Sequence, residues 1–157
     1  MVIPQLSKLM LGVRFPLPAS VKIFMKTFID KLAWIHIQDG KILSTVSKGK
    51  DTYYIPGGKR ELGENDEEAL IREIKEELSI DILPNTIKKF GVFEAQAHGK
   101  PEGTVVRMTC YESDYTGTLA PSAEIAEIVW ITHKDKDKSS PVDKLILDNL
   151  KEKKLIN

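Results

Sequence analysis

The chain has little means of cross-linking itself. Of its 157 residues only Cys110 is a cysteine, so no internal disulfide can form. A lone thiol suits a reducing compartment, and a cytoplasmic location is expected. Charge of one sign is not in excess either. Lys and Arg together number 23, as do Asp and Glu, so the chain carries no overall basic field to attract nucleic acid, and no such partner is expected. Nor is there an unbroken run of about 18 or more apolar residues, which argues against a membrane-spanning helix and a membrane partner. What remains, 41% hydrophobic and 29% charged, is the composition of one globular domain large enough to bury a core.

The first 24 residues lack acid altogether. They carry Lys8, Arg14 and Lys22, while all 23 acidic residues follow them. The segment is apolar but interrupted by Pro4, Arg14, Pro16 and Pro18. A secretory signal needs an unbroken apolar stretch, so none is expected. Met25 stands directly before the first well-patterned strand, which leaves two readings open. Residues 1–24 are an upstream leader to a start at Met25, or they form an extension that packs on the domain or on a second subunit. The domain proper is expected over residues 25–157, as a monomer or a homodimer.

From Lys31 onward the chain is well punctuated. Ala33 to Ile37 and Ile42 to Val46 flank Asp39-Gly40, a hairpin signal because both turn positions tolerate positive φ. Thr52 to Ile55 reads as a short strand stopped by Pro56-Gly57-Gly58. A charged helix then starts near Asn65, which can cap it with Glu68 in a capping box, and Asp66, Glu67 and Glu68 complement the helix dipole. Phe90 to Ala95, Thr104 to Tyr111 and Ile128 to Ile131 read as strands, and Ser140-Pro141 opens a last amphipathic helix. Mixed strands, helix, strands, helix is the order of an α/β layered domain.

The chemistry concentrates between Gly57 and Ile80. On a helical wheel Leu70, Ile71, Ile74 and Leu78 share one stripe, which must face the core. Glu73, Glu76 and Glu77 form a second stripe beside it, with i, i+3, i+4 spacing that brings their carboxylates together. No Lys or Arg relieves the repulsion at i+4, since Glu73 is followed by Glu77. A hard divalent cation would relieve it, and magnesium prefers such oxygen ligands. Arg72, on the flank of the stripe, is placed to brace Glu76 or Glu68. The competing explanation, a solvated acidic face, leaves that uninterrupted pattern unexplained.

The same residues resemble the Nudix signature: glycine, five residues, glutamate, seven residues, then Arg-Glu-apolar-any-Glu-Glu-any-Gly-apolar. Gly58, Glu64, Arg72, Glu73, Ile74, Glu76, Glu77 and Ile80 stand in register, and Ser79 alone departs, where the family has glycine. A serine there must adopt a left-handed helix-ending conformation at about 1 kcal/mol. The resemblance implies a Nudix fold, a mixed β-sheet sandwiched between helices, and an enzyme that hydrolyses phosphoanhydrides of nucleoside diphosphate derivatives with Mg2+, or Mn2+ in its place. It implies Glu73, Glu76 and Glu77 as metal ligands, with the Gly58 carbonyl and Glu64 beside them, and Arg72 as the residue that orients the glutamates. Lys59 is placed to approach a phosphate. The general base is Glu73 or a glutamate before the late strand, where Glu124 is preferred to Glu127.

Substrate is less constrained. A domain of near-minimal size for that family points to a MutT-like (deoxy)nucleoside triphosphate pyrophosphohydrolase. ADP-ribose, dinucleoside polyphosphates and nucleotide sugars are the alternatives, since loops 98–103 and 113–123 lie outside the signature. A Nudix module that binds a nucleotide without cleaving it is the alternative of another class. His36, His98 and His133 show no metal spacing and read as ordinary strand and loop residues. Cys110 reads as core, as do Trp34, Tyr53, Tyr54 and Trp130, with one of these aromatics or Phe93 available to a nucleobase.

Overall fold

A computed structural model describes residues 26–157, so the expected extension over 1–24 lies outside the described residues. Among the described residues, ten strands and two α-helices follow in order. They are β1 (Thr27–Trp34), β2 (Ile37–Gln38), β3 (Lys41–Ser47), β4 (Tyr53–Tyr54), β5 (Gly57–Gly58), α1 (Asp66–Leu78), β6 (Asp81–Ile82), β7 (Lys88–Gln96), β8 (Thr104–Glu112), β9 (Tyr115–Thr116), β10 (Ile125–Ile131) and α2 (Pro141–Glu152). One sheet runs β5-β1-β8-β7 and is mixed: β1 and β8 are parallel, and the outer pairs are antiparallel. A second sheet, β10-β3-β2 with β4 also on β3, is antiparallel throughout. The short β6 and β9 pair separately.

The expected run Ala33 to Ile37 is two strands rather than one. β1 is in register with β8 from Thr27 to Trp34, and the chain then changes partners. The Ile35 N–H donates to Tyr111 of the first sheet, while the His36 carbonyl accepts from Leu43 of the second. Side-chain pattern cannot report such a switch, because the backbone ladder makes it. The hairpin at Asp39-Gly40 forms as expected, with both residues at positive φ. β10 begins three residues before the expected Ile128 and carries a bulge between Ile125 and Glu127.

Strand alternation sorts β1 into two faces. Leu32 and Trp34 are fully buried against Leu70, Ile74 and Leu78, the apolar stripe of α1. Ala33 lies on the other face, in a core with Ile42, Ile131, Cys110 and the α2 residues Val142, Ile146 and Leu150. The two helices therefore cover opposite faces of the first sheet, and the second sheet closes one flank. Among the described residues, no helix is long and apolar enough to cross a membrane.

Candidate active site

The site grows from the start of α1. Asn65 Oδ1 accepts the Glu68 N–H at 2.9 Å, and Glu68 Oε2 accepts the Asn65 N–H at 3.0 Å, so both parts of the capping box are made. At the other end Ser79 takes the left-handed conformation, φ 62°, and its N–H donates to the Lys75 carbonyl. A helix fixed at both ends presents Glu73 and Glu77 toward the two-residue strand Gly57–Gly58, which pairs with Leu32 and Ala33 of β1. Gly57 is sterically required there, and Gly58 leaves room for a glutamate. Gly57 has φ 148°, and a Cβ on it would run into the Leu32 carbonyl. A Cβ on Gly58 would overlap the Glu73 carboxylate.

Arg72 organises the outer half of the cluster. Its Nε and Nη2 donate to the two carboxylate oxygens of Glu64 at 2.6 and 2.9 Å, a two-pronged pair. Nη1 reaches Glu73 at 3.0 Å and Glu76 at 3.5 Å, and Nη2 also donates to the Lys59 carbonyl at 3.0 Å. Glu68, which sequence offered as a partner for Arg72, is held in the cap instead. Arg72 donating to its carboxylate, followed by the Glu61 N–H, holds Glu64 down to about 2. Glu76 is the outermost glutamate, its side chain 53% exposed.

Glu77 lies at the inner end, 6% exposed, where its Oε2 accepts the Gly57 N–H at 3.0 Å. Burial pushes its carboxyl up to about 8; the Gly57 bond opposes this, and the charges of Glu124 and Glu73 add to it. Glu73 is raised too, first by burial and then by Glu76 and Glu124, with Arg72 pulling the other way. Glu124 reaches this cluster from 47 positions further along the sequence than Glu77 because backbone bonds tie its loop to α1. The Ser122 N–H donates to the Glu77 carbonyl at 2.9 Å, the Ala120 N–H to Leu78 at 3.0 Å, and the Glu124 carbonyl accepts from Lys48 at 2.8 Å. Glu127 instead sits within β10, opposite Val46.

Among the described residues no three acidic side chains converge on one point, because the oxygens of Glu64, Glu73 and Glu76 turn to Arg72. The donor set is nonetheless that of a hard cation. Glu73 and Glu77 face the glycine turn, and both are raised by burial and by neighbouring carboxylates, a cost that a divalent ion would remove. Lys59 is exposed at the mouth of this turn.

A cavity of about 360 Å3 opens from Gly57, Glu77 and Glu124 and runs between the two sheets. Tyr54 and His98 both line it and share a 2.8 Å hydrogen bond between the phenol oxygen and Nδ1. Sequence treated His98 as an ordinary loop residue. Its place here depends on a contact between residues 44 apart, for which the pattern holds no signal. Lys31 also lines the cavity, and here a signal exists: alternation puts it on the face of Ile29 and Ala33. Asp143, in the first turn of α2, is 2% exposed beside this cavity. Its Oδ2 accepts the Ile55 N–H at 3.1 Å and its Oδ1 has no partner. Cys110 is fully buried with its thiol pushed up, so it is core, as expected.

Comparison with known structures agrees with this architecture. The solution structure of the E. coli ORF135 protein superposes with a TM-score of 0.63 at 25% identity, over 81% of this chain and 91% of that one. Two further similar structures, a MutT Nudix hydrolase from Burkholderia pseudomallei (TM-score 0.58, 21% identity, 69% of this chain and 86% of that one) and a Nudix hydrolase from Nitrosomonas europaea (0.61, 18%, 78% and 88%), show likeness of fold. No curated protein matches the sequence. The model of the NUDIX domain matches residues 32–150, which takes in the glycine turn, the whole of α1 and Glu124. The chain belongs to the Nudix family.

Proposed function

We propose that the protein is a Mg2+-dependent, MutT-like pyrophosphohydrolase of (deoxy)nucleoside triphosphates, with its cluster of glutamates holding the metal and the adjoining cavity holding the nucleoside half. The observation that carries this reading is Glu77. It is buried against the Gly57 N–H beside Glu73 and Glu124, at the point where the cavity opens. A carboxylate kept there without a cation opposes folding, so its presence marks a site built for a charge that arrives with the ligand.

In this reading Glu73, Glu76 and Glu77 bind the metal with the Gly58 carbonyl, and Glu64 holds Arg72 in place or joins as a further ligand. When bound, Mg2+, or Mn2+ in its stead, neutralises diphosphate charge and acidifies a bound water. Glu124 or Glu73 takes the proton of the attacking water; Glu124, exposed and free of Arg72, is better placed to release it to solvent. Arg72 keeps the carboxylates of Glu64, Glu73 and Glu76 apart and oriented. Lys59 meets a phosphate oxygen at the open edge of the turn. A cavity of 360 Å3 suits one nucleoside, whereas a dinucleotide would place its second half in solvent.

The test is phosphate and pyrophosphate release from nucleoside triphosphates, ADP-ribose, dinucleoside polyphosphates and nucleotide sugars, with Mg2+ and with EDTA. Glu77→Gln is expected to remove at least 99% of turnover while the protein stays folded. Turnover unaffected by EDTA or by Glu77→Gln would refute the metal assignment. Binding without turnover would establish a nucleotide-binding module instead.

A further inference from the structure

Resting on the metal reading of the glutamate cluster, we infer that Arg60, held by Asp66 and Tyr111, is a positioning residue. It fixes loop 59–64 from outside, so that the Gly58 carbonyl and Glu64 stand in place before the metal binds. None of the three belongs to the signature: Arg60 and Asp66 fall at its open positions, and Tyr111 lies beyond it. Arg60 Nε donates to Asp66 Oδ1 at 2.6 Å, and its Nη1 stands 3.6 Å from Asp30 Oδ1. The other oxygen of Asp66 accepts the phenol O–H of Tyr111. Asp66 opens α1, Asp30 lies on β1, and Tyr111 lies on β8 in register with Trp34. One guanidinium thus ties the loop to the helix and to the first sheet. A lone surface pair would hold little, but here both oxygens of a partly buried carboxylate are engaged, one of them from the sheet.

The loop needs this outer tie because its inner one is shared. Arg72 holds the loop by donating to Glu64 and to the Lys59 carbonyl, but it also donates to Glu73 and Glu76. Those two carboxylates are metal ligands in this reading, so Arg72 shares them with the ion. A guanidinium with shared acceptors is held less firmly, and so is the loop that depends on it. The partners of Arg60 are none of these glutamates, and its contacts are unaffected by the metal. Its hold passes along the loop to Glu64. The Glu61 N–H, next in the chain, donates to Glu64 Oε2 at 2.7 Å, and the Glu64 N–H donates to the Glu61 carbonyl at 3.1 Å. Ligands that are already in place lose less freedom when the ion binds, which strengthens binding.

The experiment compares the full chain with R60M, R60K and Y111F in three readings. Amide hydrogen exchange without metal reports on the loop, and Mn2+ binding by electron paramagnetic resonance reports on the site. The Mg2+ dependence of hydrolysis of the four deoxynucleoside triphosphates reports on the reaction. R60M is expected to speed exchange at Glu61 and Glu64 about tenfold and to weaken Mn2+ binding about tenfold. The Mg2+ needed for half-maximal rate should rise by a similar factor, with KM for the triphosphate at saturating Mg2+ within about twofold. Y111F, which keeps every charge, should move the same readings about two- to threefold, and R60K, which keeps the charge without the fork, should fall between wild type and R60M. Unchanged exchange and Mn2+ binding in R60M would overturn the proposal. So would a raised triphosphate KM with both of those unchanged, which would make Arg60 a phosphate contact. Wild type that hydrolyses no triphosphate but shows the expected shifts in exchange and Mn2+ binding would refute the hydrolase reading and leave this one standing. Wild type that binds no Mn2+ would overturn both.

Discussion

Asp143 offers the sharpest test of how the interior is balanced. It is fully enclosed, and burial pushes its carboxyl up to about 7 against an ordinary 3.8, with the Ile55 and Ser140 bonds and the charge of Lys31 only partly offsetting this. An acid with a raised native pKa is more readily protonated folded than unfolded. Stability is therefore unaffected below pH 4, falls as pH rises between about 4 and 7, and carries the whole penalty above 7. The rise corresponds to about 4 kcal/mol at full ionisation. Asp143→Asn removes the charge but keeps an oxygen for the Ile55 N–H. It also puts an amide donor where Oδ1 now has no partner, a fixed cost of about 1–2 kcal/mol at every pH. Urea unfolding of wild type and variant at pH 5, 6, 7 and 8 separates the two effects. The variant is expected to gain about 2–3 kcal/mol on wild type between pH 5 and 8. A stability difference that stays constant across that range would mean that Asp143 titrates like a surface carboxylate, and the argument from burial would fail.

Two further outcomes follow from backbone geometry. Ser79→Gly relieves a residue held at φ 62° and should raise stability by about 0.5–1 kcal/mol, or roughly 1.5–3 °C in Tm; an unchanged melting temperature would show that the serine is unstrained there. Gly58→Ala places a methyl on the Glu73 carboxylate, which must swing aside, and should lower kcat at least tenfold while stability by urea unfolding stays within about 1 kcal/mol. Full activity in that variant would show that Glu73 can move aside without consequence.

The local parts of this protein were legible in its sequence. The capping box at Asn65 and Glu68, the apolar stripe Leu70, Ile74 and Leu78 and the hairpin at Asp39-Gly40 all depend on spacing within one element, and all form as spacing dictates. The glutamates of α1 could be grouped for the same reason, since a helix fixes which residues share a side. Tertiary structure decided what spacing cannot hold. The break after Trp34 comes from a change of ladder partner, and Arg72 turns to Glu64 because the loop before the helix folds back within reach. Glu124 joins Glu77 through backbone bonds from Ala120 and Ser122 to the end of α1, and those bonds leave no mark in side-chain pattern. Whether a carboxylate is buried is likewise a property of what packs over it. Glu76 and Glu77 are neighbours of one type on one helix, yet one faces water and the other is buried against the Gly57 N–H.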